Sequence, residues 1–391
     1  MAMIGRTFGL AAIGAVSAAV FTDAQADDMQ AVAKSMVQAA GVRAGEKVVI
    51  SGSVRDAALL EDLAIETMKA GGQPLITLSS EKLDRRSYDE VPASYDSHPD
   101  TLGLANAATF DVAFPVDYIQ SETLMAGVPA ARLAARAAAA QPVTEAYIKR
   151  GVRAVNLGNG LYPSASLAER LGKTQTELES IFWKAAAVSP EVIRSKGNAI
   201  RAALASASRV RLSSKNGTDI AFGLAVEKGF ISDGTITSDK VQQGHAATFT
   251  WLPAGELLIP VSPGTAEGKV VVDKVVFQGI TVESLVMTFS KGTLASMTAK
   301  SGLDALKSLY DASSGGKDQF SFIDLGLNPE AKLPTTTGRI VWMAPGGVTI
   351  GVGDNTLWGG ANASSFVLAA ALTTATFSAD GRSLIENGAL K

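Results

Sequence analysis

Glycine crowds the stretch GGVTIGVGDNTLWGGANASSFVLAA, residues 346–370, with six glycines between Gly346 and Gly360. Backbone without β-carbons can approach a bound molecule closely. Asp354, Asn355, Trp358 and Asn362 place polar and aromatic groups among those glycines, a composition suited to binding a small ligand. Asp354 and Asn355 equally suit a tight turn, since both residue types tolerate left-handed backbone. Nothing in the stretch is a strong base, a nucleophile or a full set of metal ligands.

The other residue with chemical promise is Glu256, in WLPAGELLIPVSPGTAEGKVVVDK. It follows Pro253 and Gly255 at the start of an apolar, strand-like run. An ionised carboxylate is expensive there unless it is paired or bound, so Glu256 is a candidate catalytic or binding group. Trp251 and Trp358 are also consistent with plain packing, the usual fate of large aromatics in β-rich folds.

Several chemistries are excluded or disfavoured. The two histidines, His98 and His245, stand far apart and lack metal-ligand spacing. No G-x-S-x-G nucleophile elbow is present. The absence of cysteine removes disulfides, thiolate metal sites and a cysteine nucleophile together. A formal charge of −3 without a long basic run argues against a nucleic-acid partner. The turn SGSVRD, after the first predicted strand, lacks the third glycine and acidic partner of a dinucleotide fingerprint.

These residues need elements to position them. Hydrophobic residues make up 47% of the 391-residue chain and charged ones 19%, enough for a large core. Residues 1–26 have the form of an export signal: Arg6, an apolar run over 8–21, and Ala-Gln-Ala before Asp27. The apolar run is short for a bilayer span, and no later stretch is long and apolar enough; Arg132 and Arg136 interrupt the alanine-rich 130–140. The expected location is periplasmic or secreted.

Residues 27–205 read as an N-terminal α/β domain. A strand over 47–51, a helix over 55–70 and a strand after Gly71-Gly72 make a βαβ unit of a parallel sheet. FDVAFPVDY and RAVNLGN add strands, separated by a helix over 121–140; 164–207 is mostly helical, with Ser189-Pro190 as a start signal. Residues 206–391 read as a C-terminal β-rich mixed domain, with a hairpin turn at Asn216-Gly217 and one helix over 303–312. The fold class is thus α/β followed by α+β.

The order of motifs resembles the thermophilic aminopeptidase T-like metallopeptidases over nearly the whole length after the leader. AGEKVVISGSVRDAALLEDLAIETMKAGGQPLI resembles their first βαβ unit, and LPAGELLIPVSPGTAEGKVVVD their segment around the first metal-binding glutamate. IDLGLNP (323–329) and GVTIGVGDNTLWGGANASS (347–365) resemble two C-terminal signatures. The resemblance implies two divalent ions held by two glutamates, two histidines, a tyrosine and an aspartate. Glu256 matches the first glutamate. The second falls on Phe322, the first histidine on Thr349, and the closing histidine and aspartate on Val367 and Ala369. The tyrosine has no clear match; Trp358 stands near its place.

Two ions about 3.5–4 Å apart need more donors than one carboxylate and a threonine. The expectation is therefore an exported protein without metal or other cofactor. It binds a peptide or amino-acid-like small molecule as a pseudoenzyme, with Glu256 as the retained site residue and Asp354, Asn355, Trp358 and Asn362 lining the site. The resemblance also implies a homodimer. The alternatives are an active metal-dependent aminopeptidase with ligands recruited from elsewhere, and a structural role in dimer assembly.

Overall fold

The computed structural model describes residues 23–391 except 122, 278–279, 334–339 and 373; most of the leader expected over 1–26 lies outside the described residues. In chain order, the strands of the first part are β1 (Lys47–Ser53), β2 (Gln73–Ser79), β3 (Val112–Pro115) and β4 (Arg153–Leu157). There follow β5 (Val210–Ser213), β6 (Asp219–Phe222), β7 (Phe230–Ser232), β8 (Phe249–Leu252) and β9 (Glu256–Pro260). The long hairpin β10 (Glu267–Phe277) and β11 (Ile280–Ser290) precedes β12 (Thr293–Thr298), β13 (Phe320–Gly326) and β14 (Val348–Gly353). The chain closes with β15 (Val367–Leu372), β16 (Thr376–Ala379), β17 (Arg382–Glu386) and β18 (Ala389–Leu390).

Three sheets result. The first is parallel, in the order β2-β1-β3-β4-β8. The βαβ unit forms as its periodicity predicts, with the helix Ala57–Lys69 burying Leu59, Leu60 and Leu63. The fifth strand comes from beyond residue 206: β8 pairs with β4, so the chain recrosses the boundary expected near 205. The second sheet has eight strands, β12-β11-β10-β6-β5-β16-β17-β18, and includes the predicted Asn216-Gly217 hairpin. The third has the order β15-β14-β13-β9-β7 and is antiparallel.

Helices deviate from expectation where proline intervenes. The helix expected over 121–140 instead spans Ala130–Arg150: Pro129 caps its start, and it continues through Pro142 to the left-handed Gly151. The helical 164–207 divides into Ala165–Arg170, Gln175–Ala186 and Pro190–Ala205, the last capped by Ser189. Leu303–Ala312 is helical as predicted. Among the described residues, no helix is long and apolar enough to cross a membrane.

Alternation along the strands decides where each side chain goes. Leu257 and Ile259 of β9, Ile323 and Leu325 of β13, and Val348, Ile350 and Val352 of β14 point into one core. There they meet Val270, Val272, Leu285 and Met287 of the β10–β11 hairpin. The opposite face of the same sheet carries Phe230, Leu258 and Phe322, which join Phe249 and Trp251 of β8 and Ala154 of β4 in a smaller core. The candidate site is built on this second face.

The β8–β9 connection delivers Glu256 to it. Gly255 has φ of 132°, and a β-carbon there would lie 2.6 Å from that of Asn328. Asn328 is fully buried. Its Nδ2 donates to the carbonyls of Ala254 at 2.6 Å and Ala185 at 2.9 Å, and its Oδ1 accepts from Glu330 N at 2.9 Å. Asn328→Ala takes the amide donor from the buried Ala254 carbonyl and one of the donors from Ala185 O, which still accepts from Val188 N at 3.4 Å, with an expected loss of about 1–3 kcal/mol in chemical denaturation. A loss below about 1 kcal/mol would show that other groups fix this turn.

Candidate functional site

The strand period places Glu256, Phe322, Thr349, Val367 and Ala369 on one face of the third sheet. Register confirms the arrangement: Glu256 lies opposite Gly326 on one side and Ser232 on the other, Phe322 opposite Gly351, and Thr349 opposite Asp324. Val367 and Ala369 follow on β15, opposite Gly353 and Gly351. One-residue alternation also brings up Asp324, two residues from Phe322. Its sequence signal is the same as that of Glu256, an acid inside an apolar strand, FSFIDLG.

Glu256 and Asp324 are 2% and 1% exposed. They are diagonal neighbours on adjacent antiparallel strands, a placement in which long side chains interact. Asn159 Nδ2 donates to Glu256 Oε1 at 3.1 Å. Ser232, across from Glu256, pairs its hydroxyl with Thr250 at 3.1 Å and also lies near enough to pull on the Glu256 carboxyl. Trp358 Nε1 makes a long 3.4 Å contact with Asp324 Oδ2. Four buried side-chain oxygens lack a hydrogen-bond partner among the described residues, and two of them are Glu256 Oε2 and Asp324 Oδ1.

Burial drives the electrostatics of the pair. Loss of solvent pushes the Glu256 carboxyl up to about 8, against the opposing pull of the Asn159 amide and the Ser232 hydroxyl. Burial raises Asp324 well above the usual carboxylate range too, and the charge of Glu256 raises it further. Two acids sharing a dry face cannot both ionise cheaply, so the pair retains a proton at neutral pH.

Aromatic carbon covers the rest of the face. Phe322 stacks on Trp358 with ring centroids 3.6 Å apart and planes inclined by 9°, and Trp342 lies 5.9 Å beyond Trp358. Gly351 makes this possible: a β-carbon there would come within 1.9 Å of the Phe322 ring. Among the described residues, no group of three or more histidine, cysteine, aspartate or glutamate side chains is placed to hold a metal ion.

The glycine-rich loop holds Trp358 in position. Asp354 accepts from the amide of Thr356 at 3.1 Å, its hydroxyl at 2.8 Å and the amide of Ser364 at 3.1 Å. Asn355 Nδ2 donates to Ser321 O at 2.9 Å, and Asn355 Oδ1 accepts from Asn362 N at 2.8 Å. Asn362 Nδ2 donates to the carbonyls of Gly316 and Gly353 at 2.8 and 2.7 Å. These three side chains thus make a turn scaffold, and of the loop residues considered from sequence Trp358 alone stacks onto the acid-bearing face. His98 is exposed against Tyr95, with ring centroids 5.1 Å apart. His245 opens a short 3-10 turn, His245–Thr248.

Because Glu256 is held protonated by burial, its contribution is whole below the ordinary carboxylate value of 4.5 and fades as pH rises to about 8. Thermal melting of Glu256→Gln against the unsubstituted protein reads this out. The unsubstituted protein should lose stability relative to the variant between about pH 5 and pH 8. Parallel profiles would mean that no proton is held there.

Comparison with known proteins agrees with the architecture. A family model described as thermophilic metalloprotease (M29) matches residues 25–318. No curated protein matches the chain by sequence. Wild-type AmpT from Thermus thermophilus aligns with a TM-score of 0.70 at 16% identity, covering 93% of this chain and 99% of that one. A 2,5-dihydroxypyridine dioxygenase from Pseudomonas putida KT2440 aligns with a TM-score of 0.57 at 14% identity, covering 94% and 97%.

Proposed function

The chain belongs to the thermophilic metalloprotease (M29) family, and from that premise we propose that it is a metal-free member that binds the amino end of a peptide or amino-acid-like molecule. The observation that carries this reading is the pair of buried, unpartnered acid oxygens, Glu256 Oε2 and Asp324 Oδ1, beneath the Phe322–Trp358 stack. Membership in the family suggests an aminopeptidase-like function, and peptide amino ends are the matching ligand class.

The donor set does not fit two metal ions. A tight zinc site takes three or four protein ligands, and a dinuclear centre more, with ions about 3.5–4 Å apart. This face offers two carboxyls, and the positions that the family resemblance assigns to further ligands carry Phe322, Thr349, Val367 and Ala369. An ammonium group suits the same two acids better. It needs only acceptors, it compensates the charge that burial opposes, and each contact is a charge-assisted hydrogen bond.

The form of residues 1–26 supports export to the periplasm or beyond, and the family resemblance supports a homodimer. Metal-dependent aminopeptidase activity is the second reading, favoured by family membership itself.

Elemental analysis and ligand titration separate the two. The metal-free reading predicts substoichiometric zinc, cobalt and manganese in purified protein and no release of amino-terminal residues. It also predicts a rise in melting temperature with free-amine trialanine, trileucine or trilysine, absent with the N-acetylated forms and abolished in Glu256→Gln. Stoichiometric metal with peptide cleavage would establish the alternative, and equal shifts from acetylated peptides would remove the ammonium group from the account.

A further inference from the structure

We propose that Asn159 is a positioning residue for ligand capture, clasping one oxygen of Glu256 so that the other stays open to the incoming ammonium group. This inference rests on the binding reading above. It concerns a chain of side chains that runs from the parallel sheet to the acid pair on the antiparallel one.

Asn159 lies just past β4, is 3% exposed, and has φ of 48°. Left-handed backbone is uncommon outside glycine, and asparagine is among the residue types that tolerate it. That conformation turns the side chain across the gap between sheets. Its Nδ2 donates to Pro253 O at 3.0 Å and to Glu256 Oε1 at 3.1 Å, which uses both amide protons. Its own backbone N–H donates to Asn156 Oδ1 at 3.0 Å.

Asn156 is also 3% exposed, and its Nδ2 donates to Pro115 O and Asp117 Oδ1, each at 3.0 Å. Asp117 Oδ2 accepts from Gly160 N at 2.8 Å. Gly158 completes the cradle, since a β-carbon there would fall 2.4 Å from the Asp117 side chain. Asp117, Asn156 and Asn159 therefore link the carboxyl ends of β3 and β4 to Glu256. The carboxyl ends of parallel strands are where open α/β sheets hold their ligands.

The loop does not need the Glu256 contact to close. Gly158 N already donates to Leu252 O at 2.7 Å and Leu161 N to Gly158 O at 2.7 Å. What the contact does is fix a carboxyl that would otherwise rotate. With Oε1 engaged by Asn159, Oε2 is left without a partner on the face shared with Asp324. A preoriented acceptor binds its ligand more tightly than a mobile one, because less side-chain freedom is lost on binding.

Calorimetric titration with the tightest-binding of the three free-amine tripeptides tests the role. Asn159→Gly keeps the left-handed backbone and removes the amide; it should weaken binding about tenfold, the loss of roughly one oriented contact. Asn156→Ala, which acts through Asn159, should weaken binding less. The double variant should bind no more weakly than Asn159→Gly alone, a non-additivity that general loss of structure does not produce. Circular dichroism and melting of each variant confirm the fold. Wild-type affinity in Asn159→Gly, or losses that add in the double variant, would overturn the inference while the binding reading stands. If no tripeptide binds the unsubstituted protein, both fall.

Discussion

Two carboxyl groups on a dry sheet face constrain everything around them. Removing a carboxylate from water costs several kcal/mol unless a partner compensates it. Glu256 finds one amide, from Asn159, and Asp324 a long indole contact from Trp358. The remaining oxygens, Glu256 Oε2 and Asp324 Oδ1, are buried without a partner, so the pair retains a proton. The stacked rings keep water off, Gly351 makes room for them, and the glycine-rich loop keeps Trp358 where it stacks. The site is thus a single electrostatic problem solved by three separate segments of chain.

The antiparallel sheet is what allows one segment to serve two purposes. On β9 and β13, neighbouring residues alternate between the large sandwich core and the acid-bearing face. The residues that stabilise the fold, such as Leu257 and Ile323, therefore sit one position from those that face the site. The second face meets β8 of the parallel sheet, whose Phe249 and Trp251 close the small core. Placing β8 in the parallel sheet and β9 in the antiparallel one brings Glu256 beside the carboxyl end of β4 within a few residues of chain. Asn159 spans that junction.

Much of this was legible in the sequence. The β1–β2 unit, the Asn216-Gly217 hairpin and the helix at 303–312 followed from periodicity and turn chemistry. An acid on an apolar strand marked Glu256. Asp324 carries the same mark inside FSFIDLG, where only its pairing with β9 and β14 shows which side of the strand it takes. Asp354, Asn355 and Asn362 read equally well as ligand groups or as turn residues, because the same side-chain oxygens serve both. Their hydrogen bonds are directed into the loop and to Ser321, Gly316 and Gly353, partners that the local sequence does not name. The return of β8 to the parallel sheet and the reach of Asn159 are long-range pairings with no local signal. The Ala130–Arg150 helix shows the opposite limit, since Pro142 suggests an end that tertiary packing overrides.

Infrared difference spectroscopy at neutral pH tests the acid pair most directly. A protonated carboxyl stretch that disappears in Glu256→Gln and shifts in Asp324→Asn is the result expected of two acids sharing a dry face. Ionised carboxylate bands alone, unaffected by removal of free amines and altered by a chelator, would contradict it. They would mean that a bound metal cation, not a proton or an ammonium group, neutralises the pair.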